Sequence, residues 1–389
     1  MTDHEAYIAL NLMGQLGPVR VRALREHLGS LLAIFDADEA DLRMAPGIGP
    51  ELARAIVEQR SRVDPVREES QARALGARIL TPADADYPEP LRWIHSPPLA
   101  LYVAGEFVER DRHAIAIVGS RRCTFYGRSV ADRLSFQLAK AGMTVVSGLA
   151  RGIDVAAHEG ALKAGGRTIA VLGSALDRLY PPESAPLAER IREHGAVVSE
   201  FPLGRDPDRT TFPYRNRLIS GLSLGVVIVE ADHQSGAMNT AAHAVEQGRA
   251  VFAVPGRIDQ PMARGPHALI RDGARLVEDV RDILEEFEYL FPRARATAPA
   301  DEPAAGAVGS AMMQFDGDEA KIVEILSDEG EADTDTIVRR SGLGAARVHT
   351  LLVGLELKRV VRMLPGRRVA LAVGRVRPSR GKHGLAETE

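Results

Sequence analysis

Three strand-like apolar stretches of this chain run directly into small or basic residues. Ala114-Ile115-Ala116-Ile117-Val118 leads into Gly119-Ser120-Arg121-Arg122, and Met143-Thr144-Val145-Val146 leads into Ser147-Gly148-Leu149-Ala150-Arg151-Gly152-Ile153-Asp154. Leu224-Gly225-Val226-Val227-Ile228-Val229 leads into Glu230-Ala231-Asp232-His233-Gln234-Ser235-Gly236. A tight turn from strand to helix leaves unpaired amides and the positive end of the helix dipole at the turn. Glycines let an anion approach that backbone, while arginines add charge and forked donors. The chemistry these loops suit is phosphate binding.

Phe212-Pro213-Tyr214-Arg215-Asn216-Arg217, with Arg209 just before it, places three arginines near two aromatic rings. Cations that hold a backbone and rings that stack on bases are what a single-stranded nucleic acid requires. A Pro-initiated helix whose arginines make internal ion pairs is the plainer reading, and it suits one of the three better than all of them.

Other chemistries lack their residues. The first turn has no G-x-G-x-x-G, and no G-x-x-x-x-G-K-[ST] occurs, so no NAD, FAD or P-loop nucleotide cofactor is expected. No Cys/His cluster has metal spacing, so no metal is expected. Cys123 lies beside arginines that could lower its pKa, yet no His/Asp set marks it as a nucleophile. His158 and His243 read as packing or surface residues, and Trp93 as a packing anchor. No catalytic residue is assigned.

The elements that must carry these loops follow from periodicity. Near-continuous aliphatic strands also occur at 168–172, 196–198, 250–254 and 274–277, separated by helical segments. That alternation predicts an α/β fold, a Rossmann-like doubly wound, mainly parallel sheet over residues 75–290 with ligands beyond the strand C-termini. Residues 1–70 read as a small helical domain of the SAM or helix-hairpin-helix kind. Gly14-Gln15-Leu16-Gly17-Pro18 and Pro46-Gly47-Ile48-Gly49-Pro50 form a loose internal repeat there. Such turns hold a phosphate or simply cap helices, and few basic residues flank the second. Residues 291–316 are rich in Ala, Pro and Gly and read as a flexible linker. Helix, turn and hairpin patterns over 317–375 predict a winged helix, and 376–389 reads as a disordered tail. From Lys358 to Lys382 nine residues are basic (Lys358, Arg359, Arg362, Arg367, Arg368, Arg375, Arg377, Arg380, Lys382) and none is acidic. That run suits either a phosphate backbone or a solvated hairpin.

The bulk numbers exclude less than the loops do. The chain has 389 residues, a hydrophobic content of 45% and a net charge of −4, so any polyanion site must come from local clusters. A single cysteine excludes an internal disulfide, the first residues lack a basic leader, and no apolar run reaches the ~20 residues of a membrane span. A cytoplasmic protein with no membrane partner is expected.

The motifs together resemble the DprA/Smf family of DNA-processing proteins. The resemblance rests on Ile117-Val118-Gly119-Ser120-Arg121, on 147–154, on Leu176-Asp177 with Tyr180-Pro181, and on Ser199-Glu200. It continues through 212–217, Val229-Glu230-Ala231 with Ser235-Gly236, Gly248-Arg249, Val254-Pro255-Gly256, Gly265, Leu269-Ile270 and Gly273-Ala274. Ser184 stands where the family often has asparagine, and Gly236-Ala237-Met238-Asn239-Thr240 replaces a commoner, more aliphatic run. The resemblance implies a non-catalytic Rossmann-like domain that binds and protects single-stranded DNA, forms a homodimer through that domain and loads RecA during natural transformation. It makes DNA contacts of Gly119, Ser120, Arg121, Ser147, Gly148, Arg151, Gly152, Arg209, Phe212, Arg215, Asn216, Arg217, Ser235 and Gly236.

Two other readings compete with it. A LOG-like nucleotide-hydrolysing enzyme would carry a Pro-Gly-Gly-x-Gly-Thr loop where this chain has 230–236. A winged-helix regulator would bind duplex DNA sequence-specifically.

Overall fold

A computed structural model of the chain describes residues 1–290, 317–357, 360–364 and 368–371. The predicted linker and tail lie outside them, as do seven of the nine basic residues noted above; Arg362 and Arg368 are described. Residues 1–290 belong to one compact unit and 317–371 to a second.

The chain opens with six helices, at Asp3–Leu12, Pro18–Leu28, Ala33–Asp36, Glu39–Met44, Pro50–Gln59 and Pro65–Ala74. The two Gly-Pro pairs of the sequence repeat each start a helix, with glycine as N-cap and proline at the first position. Proline's fixed φ suits that position, where its missing N–H costs nothing. The helices bury an apolar core from Tyr7 and Leu24 to Ile56, which Leu99 from beyond the sixth helix completes.

The helical segment is bonded to the sheet at several points. Tyr102 Oη donates to Glu68 Oε1 at 2.8 Å, and Leu203 N–H donates to the same oxygen at 2.9 Å. His4 meets the Asp84 carboxylate at 2.8 Å, and Asn11 Nδ2 donates to Glu200 O at 3.2 Å.

The sheet has nine strands: β1 (Ala77–Leu80), β2 (Leu101–Gly105), β3 (Ala114–Val118), β4 (Thr144–Ser147), β5 (Thr168–Val171), β6 (Ala196–Ser199), β7 (Gly225–Ile228), β8 (Ala250–Ala253) and β9 (Arg275–Leu276). Their order is β1-β2-β6-β5-β4-β3-β7-β8-β9. β3 to β9 pair in parallel, as their aliphatic runs predict, whereas β2 runs antiparallel to β6 and β1 antiparallel to β2. The sequence reading lacked both antiparallel strands. Leu101–Gly105 is an aliphatic run like the others, but Pro97-Pro98 before it and no following helix disguise it.

Alternate residues of each central strand face opposite layers. Ala114, Ala116 and Val118 pack with the helices Thr211–Gly221 and Gly236–Glu246, while Ile115 and Ile117 pack with Phe125–Lys140 and Ile153–Lys163. The chain leaves β3 towards β4 on one side and leaves β7 towards β8 on the other. The loops after β3 and β7 therefore diverge, and a crevice opens at that switch point.

The second unit has helices Gly317–Glu329, Thr334–Ser341 and Ala345–Leu357 and a three-stranded sheet. Its strands β10 (Glu331–Asp333), β11 (Val361–Leu364) and β12 (Arg368–Leu371) are ordered β10-β12-β11, all antiparallel. Gly342, in the left-handed region at φ 69°, ends the second helix. This is a winged helix, as the sequence predicts.

Removing the Tyr102 hydroxyl takes one donor from a buried carboxylate. Tyr102→Phe is expected to lower the unfolding free energy by about 1–2 kcal/mol, read from the midpoint of a urea titration.

Candidate nucleic-acid interface

The crevice between the β3 and β7 loops opens into a cavity of about 650 Å³. Nine of the predicted site residues line it: Gly119, Ser120, Arg121, Arg209, Phe212, Arg215, Asn216, Ser235 and Gly236. Arg122, Ala150, Asp154, Gln234 and Thr240, absent from the sequence assignment, line it as well. Four arginines (Arg121, Arg122, Arg209 and Arg215) thus face one carboxylate, that of Asp154.

Backbone packing dictates the loop after β3. A Cβ on Gly119 would lie 2.6 Å from Ile153 Cγ1 and 2.8 Å from Glu230 O. Ser120 N–H donates to that carbonyl at 2.6 Å, and Arg122 N–H donates to Ser120 Oγ at 3.0 Å. Thr124 then caps the helix Phe125–Lys140. Its hydroxyl and its amide donate to the two oxygens of buried Glu230 at 2.6 and 2.7 Å. Glu230 thereby locks the turn that carries Arg121 and Arg122.

The loop after β4 supports the cavity from behind. Ser147 is buried and its hydroxyl donates to Ile117 O at 2.6 Å. Gly148 and Gly152 admit close neighbours: a Cβ would stand 2.7 Å from Arg215 Nη1 at the first and 2.4 Å from Ser120 O at the second. Leu149, at φ 55°, carries the turn with its side chain fully buried, which offsets the strain of a left-handed non-glycine residue. These residues shape the site without lining it. Arg151 is exposed and pairs with Glu183 at 2.5 Å, outside the cavity.

Arg215 is buried beneath the rim. It donates to Gly148 O at 2.9 Å and to Val171 O, and its Nε bonds Asn216 Oδ1 at 3.2 Å. Burial, reinforced by Arg121, brings its guanidinium down to about 10, while Asp154 opposes the shift. The Asp154 carboxyl is raised by burial, against the pull of Arg215 and of the Gly148 and Ala150 amides. Asn216 Nδ2 reaches Gly236 O at 3.1 Å and Asn239 Oδ1 at 3.3 Å, so the unusual asparagine at 239 ties two helices at the cavity floor.

Arg121 stacks over the Phe212 ring at 4.9 Å, and Phe212 meets Tyr180 at 5.9 Å. The helix Gly236–Glu246 begins at the cavity without a side-chain cap, so its first amides and positive end join the arginines. At the start of Thr211–Gly221 the Asp208 carboxylate already accepts from the Thr210 and Thr211 amides at 2.7 and 3.0 Å.

Three expectations are corrected. Arg217 does not face the cavity. It is 5% exposed and forks onto Glu200 at 2.5 and 2.6 Å while stacking over Tyr214 at 3.9 Å. Residues two apart on a helix point to different sides, so Arg215 and Arg217 cannot serve one surface. Burial pushes the Cys123 thiol up, and Arg128 only partly opposes it. Trp93 is 79% exposed and anchors no packing. His158, in contrast, is fully buried on Thr168 Oγ1 at 2.7 Å, and burial holds its pKa at about 3. Among the described residues no group of acids, histidines or cysteines could hold a metal.

Known proteins share this fold and domain order. The family model for DNA recombination-mediator protein A matches residues 78–288, and those for the DprA winged helix domain and a SAM-like helix-hairpin-helix tandem match 293–367 and 13–61. The chain belongs to the DprA/Smf family. Protein Smf of Escherichia coli is 40% identical over 296 residues, 75% of this chain and 77% of that protein. The structure of DNA processing protein A from Streptococcus pneumoniae superposes with a TM-score of 0.64 at 32% identity, covering 74% of this chain and 98% of the other. That of DNA processing protein A from Helicobacter pylori, solved for its single-stranded DNA binding mode, gives 0.50 at 30% identity over 55% and 96%.

Arg217→Ala is expected to destabilise the protein by about 3–5 kcal/mol, because Glu200 would stay buried and unpaired. Arg121→Ala, at the surface, should change stability by about 0.5 kcal/mol or less; denaturant midpoints of the two variants check the contrast. Gly148→Ala should displace Arg215 and cost about 1–3 kcal/mol by overpacking, read as a lowered thermal midpoint.

Proposed function

We propose that this chain binds single-stranded DNA at the switch-point cavity, protects it and delivers it to RecA during DNA uptake, without breaking or making bonds itself. The observation that carries the reading is the convergence there of Arg121, Arg122 and Arg209 with the uncapped start of the helix Gly236–Glu246 and the Phe212 ring. Phosphates would take the arginines and amides, and a base would stack on the aromatic face. Ser235 Oγ has no partner among the described residues and lines the same wall. The Helicobacter pylori relative supports the choice of a single strand as ligand. Two copies joined through their Rossmann-like domains would offer one longer basic path to RecA, in the cytoplasm.

The hydrolytic alternative needs a carboxylate free to act at the β7 strand end. Glu230 occupies that place, but both of its oxygens are taken by Thr124 and it does not line the cavity. Absence of free base after incubation with nucleoside monophosphates is the expected result.

The reading is tested by fluorescence anisotropy of labelled poly-dT across a salt series, for the wild type and for Arg121→Ala with Arg209→Ala. Each phosphate contact on a single strand contributes about 0.7 to the log–log salt slope, so the double variant should lose about 1.4 of it and bind at least about tenfold more weakly. Wild type that does not bind, or a variant that binds like wild type, would overturn the assignment. A particle mass measured by light scattering at twice that of one chain would support the dimer.

A further inference from the structure

Two more clefts of the same unit lie beyond the cavity already described. One, of about 620 Å³, is lined by Gly17, Pro18, Leu99, Phe201, Thr210 and Tyr214 among others. It adjoins the first cavity through the chain itself: Arg209 and Phe212 line the cavity, and Thr210, Thr211 and Tyr214 line the cleft. The other, of about 640 Å³, shares Pro18 and Leu99 with it and is walled by Tyr7, Arg22, Arg25, Glu26 and Arg92. The two clefts thus meet at Pro18 and Leu99, and only the start of the helix Thr211–Gly221 lies between them and the rim cavity.

We propose that a DNA strand held at the rim crosses that helix start and continues through the two clefts, its bases against Phe201 and Tyr214 and its phosphates on Arg22, Arg25 and Arg92. The proposal rests on the reading that the rim binds single-stranded DNA, and it assigns the helical segment a share of that strand.

Charge favours it at both steps. In the middle cleft the lining carboxylate, Glu200, is already neutralised by the fork of Arg217, so it repels no phosphate. The rings of Phe201 and Tyr214 stand 6.5 Å apart, tilted at 52°, and Tyr214 is 40% exposed on a face backed by Arg217. Stacking on aromatic faces is sequence-tolerant, as a transit path requires.

The last cleft has three arginines against one acid, Glu26. Arg22 and Arg25 lie one turn apart on the helix Pro18–Leu28 and so share a face. Arg22 donates to His95 O at 2.5 Å, and Arg92 donates to Pro82 O and Asp84 O at 2.6 and 2.5 Å. A guanidinium has five donors, so each of these retains donors while being held in place. The Arg25 guanidinium has no partner among the described residues and is exposed.

The test uses the full chain and fluorescein-labelled dT oligomers of about 6 and about 20 nucleotides, within the range of single-strand site sizes. The short oligomer reaches the rim alone, and the long one reaches the arginine cleft. Arg22→Ala with Arg25→Ala should leave short-oligomer affinity unchanged. On the long oligomer it should lower the salt slope by about 1.4, two phosphate contacts' worth, and weaken binding several-fold. Arg25→Ala alone keeps the Arg22 bond to His95 and should lower the slope by about 0.7, which separates a lost contact from a loosened loop.

Long and short oligomers that bind wild type alike, or a long-oligomer slope unmoved in both variants, would overturn the extended path while leaving the rim intact. The rim reading fails separately, when Arg121→Ala leaves short-oligomer binding unchanged. Long-oligomer binding that still depends on Arg25 in that case would support the cleft as a site in its own right.

Discussion

The bond between Arg217 and Glu200 holds three parts of this unit together. Glu200 follows directly on β6, Arg217 sits in the helix before β7, and the same guanidinium also donates to Ser96 O in the loop before β2. The Glu200 carbonyl accepts from Asn11 of the first helix. Two ions are out of water here, so neither can be removed without stranding the other, and the arrangement tolerates little change. The helix that presents Arg215 and Asn216 to the cavity is thereby fixed in phase as well as in position. Its start, with Phe212 beside Arg121, depends on that phase.

The parallel sheet supplies the other constraint. Because the connections from β3 and β7 leave on opposite sides, two strand-to-helix turns face each other across a gap that no side chain fills. The first turn is stiffened from below by Glu230, and Gly148 and Asp154 of the loop after β4 brace Arg215. The positive charge of the site is therefore local. It coexists with a net charge of −4 because ion pairs elsewhere, such as Arg167 with Asp111 and Arg275 with Glu285, consume their arginines.

Much of this was legible in the residues. The aliphatic runs from 114 to 254 mark the parallel strands β3 to β8, since a strand covered on both faces must be largely apolar, and the run at 274–277 marks the exposed edge strand β9. The Gly-Pro pairs mark two helix starts, and Gly119, Ser120 and Arg121 mark the rim. The antiparallel strands β1 and β2 were not legible, because β2 pairs with the distant β6 and β1 only with β2, and neither pairing leaves a local period. Arg122, Gln234 and Thr240 sit beside assigned residues, and proximity to them was the signal available. Asp154 carried the further hint of a carboxylate closing an arginine-bearing loop. For Trp93 a large ring suggested burial, yet it lies at the end of the four-residue helix Glu89–Arg92 with its ring in solvent.

By itself the sequence determined the fold class, the order of the domains, the rim loops and the family, since each is written in short-range pattern: strand periodicity, helix boundaries and motifs a few residues long. Tertiary structure decided the role of each arginine. Arg215 meets carbonyls 67 and 44 residues away, Arg217 a carboxylate 17 residues away, and Arg121 a ring brought in from another helix. Whether a guanidinium holds the protein together or waits for a phosphate depends on partners that only the folded chain brings within reach, and on the desolvation that comes with them.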